Sequence, residues 1–199
     1  MPSSNVFHWL DGRGWLIFSG DADDDIRALA LGRAAADGAV ACISLSGDPD
    51  QLLDDISDLG APSGYLVDVL GEDDQTLRDK LAQAGMVIIT GGESPLDVRG
   101  ALYGVALEGI QAAYQNGAII LLENFAATAF STWIMDEEIE DGLKWLDGAA
   151  VFMDGSAAEQ AKPIFAEHPE AVAVAIQPGS ALAFGPDGEI QAWGRREVT

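Results

Sequence analysis

Apolar and polar positions alternate in blocks along this chain, and the blocks predict a strand–helix–strand order. Two short apolar runs open it, Val6–Leu10 and Trp15–Phe18. Asp11-Gly12-Arg13-Gly14 stands between them and reads as a hairpin turn. Ala22–Ala36 carries Ile26, Leu29, Ala30 and Arg33 at helical spacing and stops at Asp37-Gly38. Val40–Leu45 is a continuous apolar run of the kind buried on both faces of a sheet. Asp48-Pro49 starts a helix with Leu52, Leu53, Ile56 and Leu59 on one face. Tyr65–Leu70 predicts a strand, Asp73–Ala84 a helix and Met86–Thr90 a strand. Leu96–Gln115 predicts one long helix, Ala118–Leu122 a buried strand and Asn124–Met135 a helix. A short strand at Ala149–Met153 and a helix near Ala157–Ala166 follow. Ala171–Ile176, Ala181–Phe184 and Glu189–Trp193, split by glycine- and proline-containing turns, read as an antiparallel finish.

This order implies an α/β fold: a three-layer α/β/α sandwich with a mostly parallel, flavodoxin-like sheet and an antiparallel C-terminal part. No linker, repeat or low-complexity tract interrupts residues 1–199, so a single domain is expected.

Composition narrows the function classes. With 48% hydrophobic residues the chain has the makings of a packed core. Its 33 acids against 10 bases give a net charge of −23, which phosphate repels, so neither nucleic acid nor an anionic membrane is an expected partner. The acids cluster at predicted helix starts, where the helix dipole favours them. One cysteine excludes a disulfide framework, and two isolated histidines, His8 and His168, give no metal-ligand spacing. No apolar run reaches the length of a membrane span, and the first residues lack a basic start and an apolar stretch; a cytoplasmic protein is the expectation.

Ligands of parallel sheets sit beyond the carboxyl ends of the strands. The positions to inspect are therefore Ser19-Gly20-Asp21, Ser46-Gly47, Gly91–Ser94, Glu123–Ala127 and Asp154–Ser156. Asp21–Asp25 has the look of a calcium loop, but Ile26 and Gly32 stand where its glycine and bidentate glutamate belong, so it reads as a helix start. Gly91-Gly92 after a strand offers backbone N–H groups to a ligand, or forms a tight turn. Neither G-x-G-x-x-G nor a phosphate loop is present, and no cofactor is expected. Cys42 lies in mid-strand and reads as core. AIILLENFAATAFSTW predicts a strand, a sharp turn and a helix, the shape of a nucleophile elbow, with small Ala126, Ala127 and Ala129 after the turn. At the tip stand Asn124-Phe125, neither of which attacks a carbonyl.

Several segments together resemble the peptidase S51 family, the cyanophycinase and dipeptidase E group. MVIITGGES is similar to that family's strand running into G-G-N-Q, and Tyr114–Phe130 to its G-T-S-A-G-A segment. GLKWLDGAAVFMD at Gly142–Asp154 and AVAIQPGSALAF with GEIQAWG at Ala173–Gly194 are similar to its later strands. The resemblance implies a class I glutamine-amidotransferase-like fold and a serine-type peptidase ancestry.

Laid onto G-T-S-A-G-A as Glu123–Thr128, the chain has Phe125 in the serine position. Where the family has D-x-H-F it has Met153-Asp154-Gly155-Ser156, without histidine, and Gln177-Pro178 replaces an acidic residue. Asp136 is the candidate triad acid, but it stands without nucleophile or base. The resemblance then implies a member without peptidase activity, a pseudoenzyme that binds a small ligand or a protein partner or forms a homo-oligomer. Its residual pocket is expected at Gly91, Gly92, Asn124 and Ala126, with Phe125 plugging or lining it. The alternative is an active hydrolase whose nucleophile has moved to Ser131 or Ser94, with His168 as base.

Overall fold

A computed structural model describes residues 7–35, 38–153, 155 and 157–199. In chain order the elements are β1 (His8–Trp9), β2 (Leu16–Ser19), α1 (Asp24–Leu31), β3 (Ala39–Ser44), α2 (Pro49–Asp58), β4 (Gly64–Leu66), α3 (Asp74–Ala82) and β5 (Ala84–Thr90). Next come α4 (Pro95–Leu102), α5 (Val105–Gln115), β6 (Ile119–Glu123), α6 (Phe125–Ala129), β7 (Trp133–Met135) and β8 (Ile139–Asp141). The chain finishes with β9 (Leu146–Asp147), β10 (Ala149–Phe152), α7 (Ala157–Gln160), α8 (Lys162–Glu167), β11 (Val172–Ala175), β12 (Ser180–Phe184) and β13 (Ile190–Gly194).

The protein is α/β, built on a seven-stranded mixed sheet of order β13-β12-β2-β6-β5-β3-β4. The five strands from β2 to β4 run parallel, and β12 and β13 close the sheet antiparallel. Residues alternate across the sheet with period two. Leu16, Phe18, Ala41 and Ile43 face a core roofed by α3, α4, α5 and α6. Ile17, Val40 and Cys42 face a second core under α1 and α2. Burial on both faces is why these strands have no polar face to show in the sequence. A satellite core joins β10 and β11 to α7 and α8 through Phe152, Ala161 and Ile164.

The predicted runs Val40–Leu45, Met86–Thr90 and Ala118–Leu122 lie side by side in the sheet as β3, β5 and β6. Other elements depart from the pattern. The opening runs form no hairpin: β1 pairs antiparallel with β9, and β2 enters the main sheet. The long helix is two helices broken at Tyr103-Gly104, where Gly104 takes φ 103°. Asn124–Met135 is helical only over Phe125–Ala129 and then becomes β7. The run Ala171–Ile176 leaves the antiparallel finish and pairs parallel with β10 in a separate two-stranded sheet. On α1 the buried residues are Ile26, Arg27 and Ala30, while Leu29 is 45% exposed. The helix predicted over Ala22–Ala36 runs only over Asp24–Leu31 and is capped by Gly32, while the predicted stop at Asp37 lies outside the described residues.

Candidate functional site

The carboxyl ends of β2, β6, β5 and β3 bring Ser19, Asn124, Gly91-Gly92 and Ser46 to one edge of the sheet. β6 delivers its last residue, buried Glu123, and the chain then turns sharply through Asn124 into α6. Asn124 has φ 55° and ψ −120°, a backbone conformation that side-chain-bearing residues rarely adopt. Its N–H donates to the Ser19 carbonyl at 3.0 Å, which fixes the turn to β2. Its own carbonyl accepts from the Ala127 N–H at 2.9 Å, and its side chain is exposed.

This geometry corrects the expected register by one residue. The strained tip of the elbow is Asn124, and Phe125 is the first residue of α6, half-buried against the main core. Phe125 therefore belongs to the packing of the helix. Ala126, expected in the residual pocket, is fully buried beneath the turn.

Gly91 and Gly92 take φ 80° and 96°. A Cβ on Gly91 would lie 2.6 Å from the Ser46 backbone nitrogen, so only glycine fits this approach of β5 to β3. The Gly92 N–H donates to Ser46 Oγ at 2.9 Å, so it is spent on the fold and is not an open oxyanion donor. Beside this turn a cavity of about 370 Å³ opens at the ends of β3 and β4, lined by Ser44, Ser46, Val67, Asp68 and Leu70 among others.

The relocated nucleophiles do not fit their expected part. Ser131 is 0% exposed, with its Oγ 2.7 Å from the Thr128 carbonyl and 2.8 Å from that of Trp133. Ser94 caps α4: its Oγ accepts from the Asp97 N–H at 3.1 Å and donates to Asp97 Oδ2 at 2.7 Å. His168 ends α8 and stacks on Trp133, ring centroids 4.6 Å apart. Asp136 sits exposed in the turn between β7 and β8. Of the two degenerate late motifs, Asp154 and Ser156 lie outside the described residues. Gly155 and Gly20 both lie close to Gln177: added Cβ atoms would stand 3.5 Å from its Nε2 and 2.4 Å from its carbonyl oxygen. The turn after β2, the turn after β10 and the Gln177 loop thus converge on the same edge as Asn124.

One constellation escaped the sequence reading. Arg27 and Glu123 are both buried and form a two-point ion pair, Nε to Oε1 at 2.8 Å and Nη2 to Oε2 at 2.9 Å. Arg27 also reaches Asp55 Oδ2 of α2 at 3.2 Å. Burial pulls the guanidinium pKa down, but the bonds to Glu123 and Asp55 outweigh it and the net shift is upward. The signal was a single charge closing an apolar strand and a single Arg between Ile26 and Ala30. Cys42, on the same face, is pushed up to about 12 by burial, so its thiol is held protonated. Among the described residues no group of His, Cys, Asp and Glu is arranged to hold a metal ion. Among them no helix is long and apolar enough to cross a membrane.

No protein-family model and no curated protein matches the chain. Solved structures do. A peptidase from an acI-B1 Actinobacterium superposes with a TM-score of 0.75 at 17% identity, over 92% of this chain and 89% of that one. A provisional peptidase E from Listeria monocytogenes EGD-e superposes with a TM-score of 0.66 at 16% identity, over 91% of this chain and 98% of that one. The chain has the fold of these peptidases, a peptidase S51-like fold.

Proposed function

We propose that this protein uses a peptidase-type fold to bind a small ligand at the carboxyl edge of its sheet, and that it does not hydrolyse peptides. The carrying observation is Asn124. It holds a strained elbow backbone at an exposed turn, with a carboxamide where acyl transfer needs an oxygen or sulfur nucleophile. Strain of this kind costs on the order of 1–3 kcal/mol and clusters at active sites and ligand clamps. The carboxamide offers one acceptor and two donors, which suits a ligand bearing carboxyl or amide groups, such as an amino acid or a short peptide. In this reading the chain works as a single domain in the cytoplasm, without metal or cofactor, away from nucleic acid and membrane.

The test is paired. Acidic and β-aspartyl dipeptides are incubated with the protein, and hydrolysis and fluorophosphonate labelling are followed; neither is expected. The same compounds are screened for a rise in melting temperature that Asn124→Ala abolishes. Turnover or stoichiometric labelling would overturn the non-catalytic reading. A screen in which Asn124→Ala responds like the parent protein would overturn the binding site.

A further inference from the structure

β13 is one of the two edge strands of the seven-stranded sheet, unpaired on its outer side among the described residues, and α1 flanks it. Between them runs a groove of about 1090 Å³ lined by Asp25, Ala28, Leu29, Arg33, Ala192 and Arg195 among others. We propose that this edge is the interface of a twofold-symmetric dimer, in which β13 of one copy pairs antiparallel with β13 of the other.

The backbone phase carries the first part of the argument. Arg195 N–H donates to the Gly179 carbonyl and Gly185 N–H to the Glu189 carbonyl, both at 2.8 Å. In an antiparallel ladder hydrogen-bonded residues alternate. Gln191 and Trp193 therefore bond inward to β12, and Ile190 and Ala192 direct their N–H and C=O groups to the open side. Ile190 is 38% exposed, and no charged side chain or proline within β13 guards the edge. A second β13 approaching about a twofold axis gives each of these groups a main-chain partner.

Charge selects the occupant. A molecule of net charge −23 repels its own copy over most approaches. Arg27, Arg78, Lys80, Arg99, Lys144 and Lys162 are held in ion pairs. Arg13, Arg33, Arg195 and Arg196 make no ion pair among the described residues, and the last three of these four line this one groove. Arg33 is already ordered: its guanidinium lies 4.3 Å from the Trp15 ring and 4.8 Å from that of Trp193, and donates to Gln191 Oε1 at 2.9 Å. The groove also holds acids, Asp23, which caps α1, and exposed Asp25. Asp25, Ala28, Leu29 and Arg33 follow one another along a single flank of α1 and the turn after it. A twofold axis perpendicular to the sheet lays the two α1 flanks antiparallel. Asp25 then meets Arg33 of the second copy, Arg33 meets its Asp25, and Leu29 packs near the axis. That reciprocity, acid at one end and base at the other, is what an isologous contact requires and what an acidic partner chain has no use for.

The experiment is sedimentation equilibrium of the full chain over a range of concentrations at moderate salt. Twice the chain mass is expected at the upper end. Asp25→Arg and Arg33→Asp, singly, are each expected to weaken association at least about tenfold by setting like charges together at two symmetric places. The double variant is expected to recover most of it. Ala192→Pro removes a donor that the monomer leaves unbonded and is expected to give monomer with an unchanged far-ultraviolet circular-dichroism spectrum. A monomeric parent protein at every concentration would overturn the proposal. So would a dimer whose stability none of these variants changes, since that dimer would use another face.

Discussion

Glu123 and Arg27 face each other across the second core as a two-point ion pair, one residue before the strained turn at Asn124. The pair ties the end of β6 to α1, and through Asp55 to α2. Its contribution to net stability is small, because desolvating two charges offsets most of their attraction. Breaking it is another matter. Arg27→Met leaves the Glu123 carboxyl buried without its partner, and a loss of about 3–5 kcal/mol is expected in urea denaturation. Arg27→Lys is expected to recover only part of this, because an ammonium does not reproduce the two-point fork. Arg27→Met combined with Glu123→Leu is expected to recover more than Arg27→Lys does. If the double variant were less stable than Arg27→Met alone, the pair would not be the reason both charges are buried.

Cys42 gives a test on pH. Burial raises its thiol from an ordinary 9.0 to about 12, with Arg27 acting in the opposite direction and Glu123 in the same one. The native thiol is therefore expected to resist iodoacetamide at neutral and mildly alkaline pH and to react once the chain is unfolded. The sign of the stability effect follows. A raised folded-state value means the neutral thiol is favoured in the native protein. Its contribution is fully present below pH 9 and is lost as pH rises towards 12. The stability difference between the parent protein and Cys42→Ala is thus expected to be flat below pH 9 and to shrink above it. Chemical denaturation at a series of pH values reads this directly, and a constant difference up to pH 12 would refute it.

What the sequence disclosed, and what it hid, separates along physical lines. Continuous apolar runs such as Val40–Leu45 and Ala118–Leu122 announce strands covered on both faces, and the sheet places them together. The hairpin read at Asp11-Gly12-Arg13-Gly14 was a local turn signal, overridden by the pairing of β1 with the distant β9. The break at Gly104 was written as one glycine in a helical pattern, a signal that helices also tolerate. The elbow itself was legible as strand, turn and helix, but its register was not. Matching Glu123–Thr128 to a family motif placed Phe125 at the tip, although in Glu-Asn-Phe-Ala-Ala the residue type most tolerant of positive φ is Asn124. The buried ion pair was hidden for a different reason. A lone Arg on a short helix reads as solvated until the fold shows that Glu123 sits opposite.

Asn124 also allows the strain at the elbow to be separated from its chemistry. At φ 55° and ψ −120° any Cβ is costly, and glycine alone relieves the cost. Asn124→Gly gains on the order of 1–3 kcal/mol of released strain and loses about 0.5–1 kcal/mol because glycine is freer in the unfolded chain. A net gain of about 1 kcal/mol is therefore expected. Asn124→Ala keeps the Cβ and loses the carboxamide, so no gain is expected, and Asn124→Ser is expected to behave like it in stability. The hydroxyl that Asn124→Ser introduces would stand at the tip, while His168, the base that the sequence offered, is stacked on Trp133. That variant is expected to remain without peptidase activity. Urea denaturation of the three variants, with dipeptide hydrolysis measured on the same samples, checks both halves. A destabilised Asn124→Gly would show that the Asn124 side chain stabilises the turn beyond its strain, and peptidase activity in Asn124→Ser would show that a base does reach the elbow.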